Sequence, residues 1–203
     1  MKTILINQIV KSVEKVIGKG PRVLHQPMFG SKEKKYLNQT IEENFVSSKG
    51  MHTIKFERKI KKYTKSKFSI AVTSGTEAIY IALLAAGIKK NHEVLVPSLT
   101  FIGTVNAISY LGSEPHFIDS NIRDFGVDAP KLEKYLKEIT RFKDGKTYNR
   151  KTNKIISAIV PVHVFGQPCA IDKILLVAKK FNLIVIEDAA EGLGSSFKNK
   201  HVG

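Results

Sequence analysis

The stretch EVLVPSLTFIGTVNAISYLGSEPHFID, from Glu93 to Asp119, holds a strand, a helix and a second strand in succession. EVLVP (93–97) is a short apolar run closed by proline. TFIGTVNAISYLG predicts a helix that Gly112 stops, and PHFID (115–119) is again strand-like. Two strands joined by a helix, rather than by a tight turn, run parallel. The same alternation extends outward. FSIAV (68–72) predicts a strand closed by Thr73, Ser74 and Gly75. TEAIYIALLAAG predicts a helix with Ala78, Ile81, Ala82 and Ala85 on one face and Gly87 as its stop. DAPKLEKYLKEI (128–139) predicts a helix with Asp128 as N-cap and Pro130 in its first turn. RFKDGKTYNRKTN (141–153) reads as a polar loop. IISAIVPVH (155–163) and NLIVIED (182–188) predict strands flanking a helix, AIDKILLVAKKF (170–181). Repeated strand–helix units of this length imply an α/β fold with a mainly parallel sheet. Residues 1–67 are expected to form a basic helical arm, and residues 68–203 the sheet-bearing domain. The arm opens with an amphipathic helix carrying Ile6, Val10, Val13 and Ile17 on one stripe.

Composition limits the classes of function. The 203 residues, 42% apolar, suffice for one sizeable core, and no apolar run reaches the roughly 20 residues of a membrane-spanning helix. The interrupted N-terminal run lacks the cleavage site of a signal peptide. A single cysteine, Cys169, cannot form an internal disulfide; it reads as a small buried hydrophobe in a cytoplasmic protein. The net charge of +15 invites a nucleic-acid reading, but its distribution opposes one. Residues 1–67 hold 16 Lys/Arg against 5 Asp/Glu, and residues 131–154 hold 9 against 3, whereas residues 68–130 are net negative. The basic residues therefore sit on surface helices and one loop, away from the segments with chemical character. A solvated basic face that aids capture of anionic substrates is expected, with neither nucleic acid nor membrane as partner.

In a parallel sheet, ligands collect outside the carboxyl ends of the strands. Four segments lie there: Thr73–Glu77, Pro97–Phe101, His163–Gln167 and Asp188–Glu191. Ser74-Gly75-Thr76-Glu77 joins a strand to a helix start, where free amides and the helix dipole attract an anion such as phosphate, or where Ser74 or Thr76 simply caps the helix. Phe101 is either a flat ring that stacks on a planar ligand or ordinary core. Asp188 either accepts backbone amides or holds a proton on a ring nitrogen. Glu191 is a second polar contact or a helix-start acid, and His163 orients a ligand or is structural. A phosphate cup, a stacking ring and an acid beneath a pyridine nitrogen together match pyridoxal 5'-phosphate.

Several ordered motifs add a resemblance. SGTEAIYIALLAAGI, EVLVPSLTFIGTVNAI, EPHFID, IVPVHVFGQPCAIDKI and IVIEDAAEGLGSSFKNKHVG resemble the DegT/StrS-type sugar aminotransferases. Upstream, PMFGSKEKKY, FVSSKG and the Phe56-Glu57 pair resemble the family's N-terminal arm. The resemblance runs from about Pro27 to Gly203. It implies an aspartate-aminotransferase-like large domain (fold type I of the pyridoxal phosphate enzymes) with its C-terminal part missing. It also implies amino transfer, usually from glutamate, to a nucleotide-linked keto-sugar in amino-sugar biosynthesis. The wording around FIGTVNAISYLG resembles enzymes of UDP-linked keto-deoxy sugars of the bacillosamine and legionaminic acid type. Residue by residue, it assigns Gly75, Thr76 and Glu77 to the cofactor phosphate, Phe101 to stacking, Asp188 to the ring nitrogen and Glu191 to the ring's other polar side.

The same resemblance places the family's Schiff-base lysine downstream of Gly203, so no catalytic residue is assigned here, and neither Lys198 nor Lys200 is a good substitute. The chain alone is then expected to be an inactive fragment of a homodimeric enzyme. Two other readings share the scaffold: a sugar dehydratase with histidine in place of the lysine, and a non-catalytic regulatory or binding protein. Asn91-His92 also depart from the family's Gly-Asp turn.

Overall fold

The computed structural model describes residues 2–20, 27–44 and 50–203. It divides into two compact units, Met1–His52 and Thr53–Gly203. The first contains α1 (Lys2–Ile17) and α2 (Ser31–Glu42). α1 is the expected amphipathic helix, and its stripe of Ile6, Val10, Val13 and Ile17 is exposed. α2 begins within PMFGSKEKKY, where the Glu33 carboxylate accepts the Gly30 amide at 2.6 Å and closes the helix start. Most of FVSSKG, residues 45–49, lies outside the described residues.

The second unit begins earlier than the expected boundary at residue 68. α3 (Met51–Thr64) belongs to it almost entirely, and Glu57 on α3 accepts the Ala71 amide at 2.8 Å. That bond bears on a correction. FSIAV forms no strand: no described strand runs beside it, and a side chain rather than a ladder takes the Ala71 amide. Phe68 and Ile70 are accordingly exposed.

The rest alternates as anticipated: α4 (Gly75–Ala85), β1 (Glu93–Pro97), α5 (Ile102–Tyr110), β2 (Glu114–Ile118) and α6 (Ala129–Ile139). Asp128 caps α6 by accepting the Lys131 amide at 3.1 Å, with Pro130 in the first turn. There follow β3 (Thr140–Lys143), β4 (Lys146–Asn149), β5 (Ile155–Ile159), α7 (Ile171–Lys180) and β6 (Ile184–Val185). β2, β1, β5 and β6 lie side by side and parallel, while β3 and β4 form an antiparallel hairpin that joins β5. The hairpin corrects the polar loop expected at 141–153. Asp144 (φ 50°) and Gly145 (φ 72°) make its turn, and an Asp-Gly pair with both residues at positive φ is a strong hairpin signal that the surrounding charges had masked.

Helices cover both faces of the sheet. α4 and α5 pack Ile79, Leu83, Ala107 and Ile108 against Val94, Val96, Ala158 and Val160. α6 and α7 pack Leu132, Leu136, Ile174 and Val177 against Leu95, Ile156 and Ile159 on the other. Each such valine, leucine or isoleucine contributes about 1.5–3 kcal/mol by leaving water. Ile156 and Ile159 share a face despite their odd spacing. Pairing with β1 jumps from Glu93↔Ile156 to Val94↔Ala158, so Ser157 is an extra residue and the strand's alternation changes phase there. The buried face of α4 also differs from expectation. Ala78, Ile81 and Ala85 are exposed, whereas Ile79 and Leu83 are buried. A helix apolar on nearly all sides has no periodicity strong enough to choose its inward face.

From β1 the chain moves one way to β2, with α5 on one face; from β5 it moves the other way to β6, with α7 on the opposite face. The order reverses between β1 and β5, which opens a crevice at their carboxyl ends.

Candidate functional site

Asp188 follows β6 and reaches that crevice through a parallel bridge to Val162, just beyond β5. It is 7% exposed. Its Oδ2 accepts the Thr104 hydroxyl at 2.6 Å, and its Oδ1 accepts the Ala190 amide at 3.2 Å. Among the described residues no cation pairs with it. A buried carboxylate with only two neutral donors retains lone pairs and an uncompensated charge, which favours a cationic ligand group.

The stretch expected to attract an anion lies at the start of α4. Ser74 caps the helix by accepting the Glu77 amide at 3.2 Å. The amides of Gly75 and Thr76 are the first-turn donors that a helix leaves without intrahelical partners. Glu77 turns its carboxylate back to the Thr73 hydroxyl and amide, and those hydrogen bonds hold it below the usual carboxylate range. Glu77 thereby ties Thr73 to the helix start. A cleft of about 360 Å³ borders the turn, lined by Thr73, Ser74, Thr76, Glu77, Tyr80 and Tyr110.

Phe101 precedes α5 with its ring 76% exposed, which removes the core alternative. Two glycines show how closely the parts converge. A Cβ on Gly103 would lie 2.5 Å from Thr76 Oγ1 and 3.0 Å from Phe101 Cδ1, so only glycine lets the hydroxyl and the ring approach the same point. A Cβ on Gly75 would lie 4.0 Å from that of Ala190, the residue whose amide binds Asp188. A circuit thus runs from Gly75 and Thr76 at the start of α4, through Phe101 and Gly103 at the start of α5, to Thr104, Asp188 and Ala190.

Glu191 lies at the β5 tip, where its side-chain partner among the described residues is Phe165 rather than a member of that circuit. Its carboxylate accepts the Phe165 amide at 2.7 Å, and Phe165 holds a left-handed conformation (φ 54°) uncommon for an aromatic residue. The next residue must be glycine: a Cβ on Gly166, already at φ 75°, would lie 2.7 Å from the Glu191 carbonyl oxygen. His163 is structural. Its Nδ1 accepts the Cys169 amide at 3.2 Å, which leaves the proton on Nε2 to be donated to Glu187 at 2.9 Å. That bond keeps the Glu187 carboxyl below its usual range. Cys169 is fully buried, and burial, with Glu187 and Asp124 nearby, pushes its thiol up to about 12, far from a nucleophile's range. Lys198 pairs with Asp172 at 2.6 Å, away from the circuit.

The residue that sequence reasoning missed is Thr104. It lies three positions after Phe101, on the same side of a helix start, and is the hydroxyl in an otherwise apolar turn.

The family model described as the DegT/DnrJ/EryC1/StrS aminotransferase family matches residues 27–203. A GDP-perosamine synthase of Escherichia coli O157:H7 is 39% identical over 180 residues, 89% of this chain and 45% of its own length. A GDP-perosamine synthase of Caulobacter vibrioides is 37% identical over 184 residues, 90% of this chain and 45% of its own. The chain therefore spans a little under half the length of these curated relatives. Their names specify GDP, where the motifs around α5 resemble enzymes of UDP-linked sugars. Among solved structures, an aminotransferase from Psychrobacter cryohalolentis superimposes with a TM-score of 0.75 at 28% identity, covering 90% of this chain and 42% of that one.

Proposed function

The chain belongs to the DegT/DnrJ/EryC1/StrS aminotransferase family, and from that premise we propose that it forms the cofactor-binding part of a cytoplasmic aminotransferase. The cofactor is pyridoxal 5'-phosphate, the acceptor a nucleotide-linked keto-sugar and the amino donor glutamate, with the complete protein a homodimer. The circuit carries this proposal, because it suits a ligand with an anion at one end and a protonated ring nitrogen at the other. Gly75 and Thr76 hold the phosphate through their amides and the Thr76 hydroxyl, at the positive end of the α4 dipole. Glu77 supports that loop through Thr73. Phe101 covers the ring, Asp188 accepts a hydrogen bond from the protonated ring nitrogen, and Glu191 faces the ring's other polar edge while fixing the β5 tip. When bound, the pyridoxal ring supplies an electron sink for the carbon whose nitrogen is transferred. A protonated ring nitrogen strengthens that sink, and an anionic Asp188 is what keeps it protonated.

Titration of the purified chain with pyridoxal phosphate, followed by the cofactor's own absorption and fluorescence, tests the proposal. Saturable one-site binding that inorganic phosphate competes away is expected, together with its loss in Asp188→Ala. An Asp188→Ala chain that binds as tightly as the wild type would overturn the assignment.

A further inference from the structure

Asp188 does not orient itself. Its Oδ1 is held by an amide of its own loop, but its Oδ2 is held only from another element, by the Thr104 hydroxyl at 2.6 Å. Thr104 is 1% exposed, so no water competes for that bond. Behind it, the Thr100 hydroxyl donates to Thr104 Oγ1 at 3.0 Å. Thr104 has one proton and gives it to the carboxylate; its lone pair takes the proton of Thr100. The two hydroxyls form a directed chain that ends on the acid, and each donor polarises the next. The first turn of α5 therefore carries both the covering ring, on Phe101, and the group that aims the acid, on Thr104. One short element thus presents both the residue that would cover the cofactor and the hydroxyl that binds the acid.

Resting on the cofactor assignment above, we propose that Thr104, backed by Thr100, is the positioning residue that turns the Asp188 carboxylate toward the pyridine nitrogen. Without that hydroxyl, the carboxylate keeps a single anchor and rotates about it, and its hold on the ring proton loosens.

The experiment compares the wild-type chain with Thr104→Val, Thr104→Ser and Thr100→Val. It measures the dissociation constant for pyridoxal phosphate, the pH midpoint at which the bound cofactor's absorption band changes, and the melting temperature without cofactor. Thr104→Val is expected to weaken binding about tenfold, the size of one lost hydrogen bond to a charged group, and to move the pH midpoint down by about one unit. Thr104→Ser restores both values to within about twofold, since it returns the hydroxyl. Thr100→Val, which leaves the bond to Asp188 in place, weakens binding about threefold. A purely structural Thr104 would lower the melting temperature and leave the pH midpoint where it was; that result overturns the proposal. If Thr104→Val fails to fold, Thr100→Val decides, and an unchanged dissociation constant and midpoint there overturn it equally. Failure of the wild-type chain to bind the cofactor at all sinks the assignment of the site and this inference with it, whereas normal wild-type binding with indifferent variants sinks the inference alone.

Discussion

Two buried carboxylates mark opposite ends of the parallel sheet, and they are built differently. Glu93 begins β1 and is 3% exposed. His116 Nδ1 reaches it at 2.7 Å, Asn149 at 2.9 Å, and the Thr152 hydroxyl completes its shell, while Tyr135 hydrogen-bonds the far nitrogen of His116 at 2.9 Å. These partners come from β2, α6, the end of β4 and the loop after it, so the acid ties the hairpin and the edge strand to the sheet. Asp188, at the other end and equally hidden, has two donors and no cation among the described residues. A saturated buried acid is an internal fastening. An unsaturated one at a strand tip keeps lone pairs free, which is what the proposed function requires of it. Burial alone distinguishes neither.

That contrast breaks or sharpens under substitution. The largest effect is expected from Glu93→Ala, which strands an asparagine, a threonine and a histidine in the interior; urea denaturation should register a loss of about 3–4 kcal/mol. A change below about 1 kcal/mol would make Glu93 no more structural than Asp188. Acid provides the next test. Burial raises the Glu93 carboxyl, but hydrogen bonds from His116, Asn149 and Thr152, with the His116 charge, outweigh it and bring it from 4.5 to about 2. A lowered folded-state value means that the contribution is complete above about pH 4.5 and disappears as the pH falls through about 2. Denaturation curves across that window should lose about 2–3 kcal/mol on this account, and Glu93→Gln should flatten the slope. Asp188→Asn, in comparison, is expected to change stability by less than about 1 kcal/mol while weakening cofactor binding by more than about tenfold, measured on the same preparation. Phe101→Ala closes the series: with the ring 76% exposed, stability should move by less than about 0.5 kcal/mol, and only cofactor affinity should fall.

The sequence made one end of the molecule legible and obscured the other. Glu93–Asp119 reads without ambiguity because Pro97 and Gly112 punctuate it and because a helix between two apolar strands has few folding alternatives. Phe101 and Asp188 follow from that alternation, since strand tips in a parallel sheet share one side. Gly75 and Thr76 are expected behind a strand at 68–72 that does not form, and they meet Gly103 and Ala190 from the start of α4 instead. The Glu93 fastening was invisible: its partners are 23, 56 and 59 residues away in the chain, and no local pattern announces such a network. The Asp144-Gly145 hairpin was masked by flanking charge, and the inward face of α4 by apolar residues on every side. FSIAV has the composition of a strand, but composition supplies only half of a ladder; the other half must come from a neighbour. Thr104 escaped notice because its significance lies in a contact 84 positions away.

Ser157, which has no partner in the ladder between β1 and β5, marks a change of phase beside the fastened end of the sheet. Ahead of it, even-numbered positions of β5 face α6 and α7; beyond it, odd-numbered ones do. Deleting Ser157 would place Ile156 directly before Ala158, on the opposite faces they already occupy and against the Glu93 and Val94 they already pair with, so the irregularity could be excised without turning any later residue. The bulge is thus a removable stitch in a seam that already lies in register on either side of it.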